Sequence, residues 1–159
     1  MRTKNTQKGF SLIELLIVVA IILIIAAIAI PNLLRSRMAA NEASAVGSLR
    51  TLNTAAVTYS TTYGIGYPTV LSRMGPAASA TSTTADLIDS VLAAGVKSGY
   101  SFTYAGGTAD AAGNVNTYTI NAAPTAVGTT GQRYFFTDQS GVIRANPTGA
   151  ATVNSTPIS

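Results

Sequence analysis

The chain has 159 residues, a formal charge of +4, and neither cysteine nor histidine. Without those two residue types, disulfide bonds, zinc sites built on them and imidazole acid–base catalysis are excluded. Lys97 is the only lysine beyond residue 8, and the six acidic residues are spread along the chain. A Ser–Lys dyad or a pair of carboxylates would therefore have few groups to use. The composition predicts a protein that is not an enzyme and that needs no cofactor or metal ion.

The first nine residues are predicted to form a short basic leader. Residues 1–8 hold the bases Arg2, Lys4 and Lys8 and no acid, and the small residue Gly9 follows. A secretory signal peptide has its small cleavage-site residues after the apolar run, whereas Gly9 comes before it. Positive flanks stay cytoplasmic, which orients the chain. Removing the leader leaves 7 bases against 6 acids, and this near-neutral balance gives no electrostatic case for nucleic-acid binding.

A long apolar run follows, from Phe10 to Ile30. All of its 21 positions are apolar except Ser11 and Glu14. At 1.5 Å per residue, a helix of this length can cross a hydrocarbon core of ~30 Å. A lone carboxylate in such a segment is costly in lipid, so Glu14 implies a partner and an assembly. Two alternatives remain: a plain signal anchor, which leaves Glu14 unexplained, or tolerance of Glu14 near the interface by snorkelling.

The stretch GFSLIELLIVVAIILIIAAIAIP resembles the amino-terminal signature of type IV pilins and of the related type II secretion pseudopilins, over roughly residues 8–37. The resemblance implies that a prepilin peptidase cuts between Gly9 and Phe10 and that the new amino group of Phe10 is methylated. It also implies that Glu14 pairs with the amino-terminal Phe10 of a neighbouring subunit as the helices bundle. In several family members the helix loses its form near this proline, and a kink is expected at Pro31.

One helix is predicted from Phe10 to Tyr63, 54 residues and roughly 80 Å long. Beyond Pro31, an apolar stripe recurs at heptad-like spacing: Met38, Ala45, Leu49, Leu52, Ala56, Tyr59 and Tyr63. A polar face is predicted opposite the stripe: Asn41, Glu42, Ser44, Ser48, Arg50, Asn53 and Ser60. The stripe indicates packing under a head domain, with a soluble coiled-coil dimer as the alternative. Gly64 and Pro68 are expected to end the helix.

The region after the helix is predicted to be a loop and then a short second helix. Residues 64–84 are rich in Gly, Pro, Ser and Thr, and their hydroxyls serve either as ordinary polar groups or as acceptors of sugars. The short helix is expected to be capped by Thr84, with Asp86 and Asp89 near its amino end. Gly95 is expected to end it.

From Gly99 the period changes to two, which is typical of antiparallel strands joined by hairpins. Strands are predicted near residues 100–104, 117–120, 133–137 and 141–144, with Gly106 and Gly107 turning the chain. Asp110 and Asp138 lie in loops that could be mistaken for calcium loops. Each loop offers one carboxylate and calcium takes six to eight oxygens, so a turn role is favoured. Residues 146–159 are expected to be a surface loop or disordered.

These elements predict an α+β fold, a long amino-terminal helix with a small antiparallel sheet packed on its second half. Four regions are expected: a cleaved leader (1–9), a transmembrane and polymerisation helix (10–30), its amphipathic continuation (31–63) and a globular head (64–159). The expected function is structural, as the major pilin of a type IV pilus that serves adhesion, motility or DNA uptake. The alternatives are the major pseudopilin of a type II secretion system and a membrane-tethered periplasmic binding module.

The partners implied by the resemblance follow from this function. The chain is expected to form a homo-oligomeric helical filament and to meet a prepilin peptidase and methyltransferase, the inner membrane and a pilus assembly platform. Its location is expected to be the bacterial inner membrane before assembly and the cell surface afterwards, or the periplasm for a pseudopilus.

Overall fold

A computed structural model describes residues 9–158, which divide into two compact units with the boundary between Ser36 and Arg37. The first is called the amino-terminal unit below, and the second, from Arg37 onwards, the head unit. The predicted leader bases fall in Met1 to Lys8, outside the described residues, so the leader remains a prediction.

The architecture is α+β, as predicted from the sequence. The helices are α1 (Leu12–Tyr63), a 3₁₀ helix (Leu71–Met74) and α2 (Ser90–Ala93). The strands are β1 (Val96–Lys97), β2 (Tyr100–Gly106), β3 (Tyr118–Pro124), β4 (Tyr134–Asp138), β5 (Arg144–Asn146) and β6 (Thr156–Pro157).

The six strands form one antiparallel sheet in sequence order, in which each strand pairs with the next. The central pair is the longest, with Tyr100 opposite Pro124 and Gly106 opposite Tyr118. Alternate residues of β2 and β3 are buried, as expected for strands with one face on the core. The sheet's contribution to the core is mainly aromatic and aliphatic: Tyr100, Phe102, Tyr104, Tyr118, Ile120, Ala122 and Phe135.

Within the head unit, α1 buries the predicted stripe, with one correction. Ala45, Leu49, Leu52, Ala56 and Tyr59 are buried, whereas Met38 and Tyr63 are half-buried. The predicted polar face is wrong at Glu42 and Ser48, which are both buried. Glu42 fills the gap that the stripe leaves between Met38 and Ala45, since 38, 42, 45 and 49 follow the 4-3-4 spacing of one helix face.

The short helix α2 begins later than the sequence suggested, and the predicted cap at Thr84 is wrong. The backbone of Thr84 instead closes a turn with Thr81, through N–H to carbonyl bonds of 2.9 and 3.2 Å. Residues 85–88 are then held non-helical, because four successive backbone N–H groups donate to carbonyls of residues 73–75. Asp89 caps the helix, and its Oδ1 accepts from the Leu92 N–H at 2.7 Å.

The strands also differ from the prediction at their ends. Gly106 and Gly107 do not form a tight hairpin, because residues 107–117 make a longer connection in which Val115 bridges to Gly66. The fourth strand was expected at 141–144 and instead occupies Arg144–Asn146. The carboxy-terminal tail is not only surface loop, since Ala151 is buried and residues 156–157 form the edge strand β6.

Candidate assembly segment and head-unit contacts

The amino-terminal unit presents an apolar helical surface. Phe10 is 86% exposed, and the large aliphatic residues from Leu12 to Ile30 are also exposed. By length and composition, α1 contains a segment that could cross a membrane, and none of that segment is buried. Moving one aliphatic side chain fully out of water is favourable by about 1.5–3 kcal/mol of free energy. A surface of this size therefore strongly favours lipid or the apolar surface of other helices over water.

Ser11 and Glu14 form a reciprocal cap at the start of α1. The Ser11 N–H donates to Glu14 Oε2 at 2.9 Å, and the Ile13 N–H donates to Ser11 Oγ at 3.4 Å. The glutamate half matches a capping box, whereas Ser11 Oγ accepts from the second helical residue, Ile13, in place of Glu14. The Glu14 carboxylate is therefore oriented toward the start of the helix, at Ser11, the residue that follows Phe10.

The predicted cleavage junction lies just before this cap. Gly9 and Phe10 are exposed and precede the first helical residue, Leu12. A Cβ added at Gly9 would meet no other atom within 4 Å. Nothing in the described fold therefore requires a glycine at this position, and the assignment of Gly9 to a cleavage site stays a prediction.

Pro31 lies inside α1, and the helix continues on both sides of it. Proline has no N–H, so the carbonyl one turn earlier, at Ala27, loses its usual donor. The next carbonyl, that of Ile28, gains an extra donor, because Asn32 Nδ2 lies 3.1 Å from it. The expected kink at Pro31 stays a prediction.

An ion pair between a buried carboxylate and a half-exposed guanidinium in the head unit was missed by the sequence analysis. Glu42 Oε1 accepts from the backbone N–H groups of Gln132 at 2.9 Å and Arg133 at 3.1 Å, and Oε2 accepts from Arg133 Nε at 2.7 Å. Burial raises the pKa of Glu42, but these hydrogen bonds and the Arg133 charge outweigh burial and hold its pKa below the ordinary value of 4.5. Glu42 thereby ties α1 to the β3–β4 loop. The 4-3-4 spacing was the signal that could have revealed it.

A tyrosine cluster fills the core between α1 and the sheet. The rings of Tyr104 and Tyr118 stack at a centroid distance of 5.5 Å, and Tyr67 meets Tyr118 edge-on at 4.7 Å. The Tyr118 hydroxyl donates to Asn53 Oδ1 at 3.1 Å, and burial raises its pKa to about 12. The Tyr104 hydroxyl is buried without a hydrogen-bond partner among the described residues. Burial and the neighbouring tyrosines raise the pKa of Tyr104 further still.

The two loops considered for calcium have turn hydrogen bonds at their carboxylates. Asp110 accepts from the N–H groups of Ala112 and Asn114 and from Asn116 Nδ2, all at 2.9 Å, and these bonds lower its pKa. Asp138 accepts from the Ser140 N–H at 2.9 Å. Within residues 9–158, no group of three or more acidic side chains comes together as a metal ligand set.

Comparison with known proteins concerns mainly the amino-terminal region. The family described as "Prokaryotic N-terminal methylation motif" matches residues 4–30. Over 38 residues the chain is 63% identical to the "Type IV wide pilus major component PilA4" of Thermus thermophilus, which is 24% of this chain and 29% of that protein. Over 54 residues it is 48% identical to the "Type IV major pilin protein PilA" of Myxococcus xanthus, 34% of this chain and 24% of that protein.

The chain therefore spans less than a third of the length of these two relatives. No solved structure gives a significant match. What the comparisons support is an amino-terminal segment of the prepilin type joined to a head unit whose fold is described by the structure alone.

Proposed function

We propose that this chain, which carries the amino-terminal signature of the type IV pilins, is the major structural subunit of a type IV pilus that serves adhesion, motility or DNA uptake. The observation that carries the proposal is the exposed apolar segment from Phe10 to Ile30, which holds a single charge, Glu14. The names of two similar proteins, both major pilus components, support this role.

Processing would release this segment from its leader. A prepilin peptidase would cut between Gly9 and Phe10, which precede α1 and are exposed, so the enzyme needs to unfold no helix to reach the bond. Methylation of the Phe10 amine would follow. We expect four regions with different roles: residues 1–9 form the leader, 10–30 lie in the membrane and then in the filament, 31–63 continue the helix, and 64–159 form the globular head.

Glu14 would then set the register between subunits by pairing with the Phe10 amine of a neighbour. A carboxylate offers about four lone-pair directions, so Glu14 can keep the Ser11 N–H bond and still accept from an incoming ammonium group. Taking both charges out of water offsets much of their attraction. We therefore assign the pair to register, and the bulk of the affinity to burial of the apolar segment.

Before assembly the same segment would hold the subunit in the inner membrane, with its positive leader in the cytoplasm. A pilus assembly platform would then pass it into a homo-oligomeric filament on the cell surface. The expected partners are thus other copies of the chain, the prepilin peptidase and methyltransferase, and the platform.

The test is electron microscopy and mass spectrometry of material sheared from the surface of the native cells. Long thin fibres built from a chain that begins at methylated Phe10 are expected. Processed chain that stays in the envelope without surface fibres would indicate a pseudopilin of a type II secretion system. A full-length, unprocessed chain in the membrane would indicate a tethered binding module, and either result would contradict the proposal.

A further inference from the structure

Two arginines follow the apolar segment on α1. Arg35 lies in the amino-terminal unit and Arg37 is the first residue of the head unit, and both are exposed. They come after the segment, on the side that the predicted orientation places outside the cytoplasm. Lysine and arginine normally concentrate on the cytoplasmic side of a membrane helix. Two bases on the opposite side therefore need a favourable contact there that offsets this bias.

Neither arginine finds an acidic partner within its own chain. The ion pairs that the structure shows among residues 9–158 have Glu42 and Asp89 as their acids, and other bases as their partners. The sequence holds no acidic residue between Glu14 and Glu42. The helical neighbours of Arg35, three and four positions away, are therefore all uncharged. Its five N–H donors are thus available to an acceptor outside the chain.

The position of Arg35 along α1 matches the level of the lipid headgroups. Arg35 comes five residues after Ile30, the end of the apolar segment, which is about 7.5 Å along the helix at 1.5 Å per residue. The headgroup region adds roughly 5–7 Å on each side of the hydrocarbon core. Helical side chains lean toward the amino terminus of their helix, which here is toward the membrane. The guanidinium of Arg35 can therefore lie among the phosphate groups.

The same count places Glu14 at the opposite boundary of the membrane. Glu14 and Arg35 both belong to the amino-terminal unit and are 21 residues apart, which is about 32 Å along the helix. The hydrocarbon core is ~30 Å thick. When Arg35 lies at the outer headgroups, the Glu14 carboxylate therefore lies near the inner surface, where it can reach water before a partner subunit arrives. A helix that slid outward by one turn would draw this charge into the lipid.

Arg35 and Arg37 are the interfacial anchors that the sequence offers on this side of the segment. Tryptophan, tyrosine, lysine and arginine are the residues that anchor membrane helices at the headgroup level. From Ser11 to Thr58 the chain has no aromatic residue, and Arg35 and Arg37 are the first basic residues after the apolar segment. The depth of the helix in the membrane therefore depends on what these two guanidinium groups bind.

We propose that Arg35 binds the phosphate of an anionic phospholipid in the periplasmic leaflet of the inner membrane, with Arg37 adding a second positive charge. This inference rests on the membrane stage of the proposed function and adds to it a lipid partner that sets the depth of the waiting subunit. A guanidinium binds phosphate through two parallel N–H···O bonds. A headgroup with a net negative charge, such as phosphatidylglycerol, adds an attraction that a zwitterionic headgroup lacks. The contact breaks when the subunit leaves the membrane for the filament.

The test is native mass spectrometry of the full chain in detergent, titrated with phosphatidylglycerol or with phosphatidylcholine. Arg35→Gln should reduce the preference for phosphatidylglycerol about fivefold, as expected for one base near an anionic surface. The double variant with Arg37→Gln should lose more. Arg50→Gln is the matched control and should bind as the wild type does, because it removes the same charge from an exposed position of α1 that comes 15 residues after Arg35. The mass shows whether residues 1–9 are present, so each form is compared only with itself.

Several results would overturn the lipid contact. These are equal binding of the two lipids by the wild type, an unchanged preference in the double variant, and a loss in Arg50→Gln as large as that in Arg35→Gln, which would indicate an effect of net charge alone. Displacement of phosphatidylglycerol by inorganic phosphate would indicate a site for free anions instead. Because all three arginines are exposed, thermal unfolding of each variant should match that of the wild type, so that a lost preference is not a lost fold.

Fibre yield of the same variants in the native cells separates this inference from the proposed function. A double variant that keeps its preference for phosphatidylglycerol but forms no fibres would show that the arginines bind acids of a neighbouring copy, and would refute the lipid contact while leaving the major-pilin role in place. Wild-type cells without fibres of processed chain would contradict the major-pilin role, whereas the lipid contact would still be decided by the preference measured in detergent.

Discussion

Replacing Glu42 should destabilise the head unit. A set of variants can separate the contribution of the backbone hydrogen bonds to Glu42 from that of its ion pair with Arg133. The Glu42 side chain is 11% exposed, whereas that of its ion-pair partner Arg133 is 47% exposed. Glu42→Ala removes three hydrogen bonds and leaves the N–H groups of Gln132 and Arg133 without their acceptor. Breaking a fully buried pair costs about 3–5 kcal/mol, and the exposure of Arg133 brings our expectation to the lower limit, about 3 kcal/mol.

Two further variants should lose less stability than Glu42→Ala, each by an amount that reflects the contacts it keeps. Glu42→Gln keeps an oxygen for the two backbone donors but sets an amide beside Arg133 Nε, so we expect about 2 kcal/mol. Arg133→Ala removes the Nε bond to Glu42 and the guanidinium's position over the Phe135 ring, 5.3 Å away, but leaves both backbone donors in place. Because the guanidinium is half-exposed, about 1 kcal/mol is expected. For a unit of this size, 1 kcal/mol corresponds to about 4 °C in Tm. The assay is thermal unfolding of the full chain in detergent, followed by near-ultraviolet circular dichroism of the tyrosines.

The pH dependence gives a second test of the same contact. Because hydrogen bonds hold the folded pKa of Glu42 below 4.5, its contribution is fully present above pH 4.5 and is lost as the pH falls through the folded pKa. The gap in Tm between wild type and Glu42→Gln should therefore shrink below pH 4.5. Asp89 and Asp110, whose pKa values are also lowered, titrate in both proteins and cancel in the difference. A gap that is the same at pH 3 and pH 7, or an Arg133→Ala loss as large as that of Glu42→Ala, would refute this reasoning.

Three further predictions follow from the core and the assembly segment. Tyr104→Phe should be neutral or stabilising by up to about 1 kcal/mol, because the hydroxyl it removes is buried without a partner; a loss of Tm in thermal unfolding would show that the hydroxyl is satisfied. Glu14→Val should leave membrane insertion intact and abolish fibres, and normal fibre yield would contradict the register role. Gly9→Leu should leave the leader attached, and a mass spectrum showing a chain that starts at Phe10 would contradict the assigned cleavage site.

The sequence predicted those features that depend on periodicity and length. The extent of α1, the buried stripe from Ala45 to Tyr59 and the antiparallel sheet follow from patterns of 3.6 and 2 residues. The start of α2 was missed because backbone bonds from residues 85–88 to the 3₁₀ helix outweigh the local capping signals at Thr84. Such bonds join residues 11 to 14 positions apart, and no short-range pattern reports them.

Glu42 shows how residue type misled the prediction where spacing was correct. Its position continues the stripe, but a charged residue is rarely buried unless it is paired. Its partners, Gln132 and Arg133, lie 90 and 91 residues further along the chain. The pairing therefore becomes visible only when the β3–β4 loop is placed against α1.

An exposed face of the same helix, formed by Gly47, Thr51, Thr54, Thr58 and Thr61, presents the converse case. Four threonines on an exposed face have the composition of an ordinary solvated surface. Their hydroxyls nevertheless donate to carbonyls one turn earlier on the same helix. Within the head unit, α1 thus has a buried face that tolerates one charge because it is paired, and an exposed face whose polar groups are already satisfied. Both faces follow the same 4-3 spacing. The residue types alone do not show where each polar group finds its hydrogen bond, and the structure does.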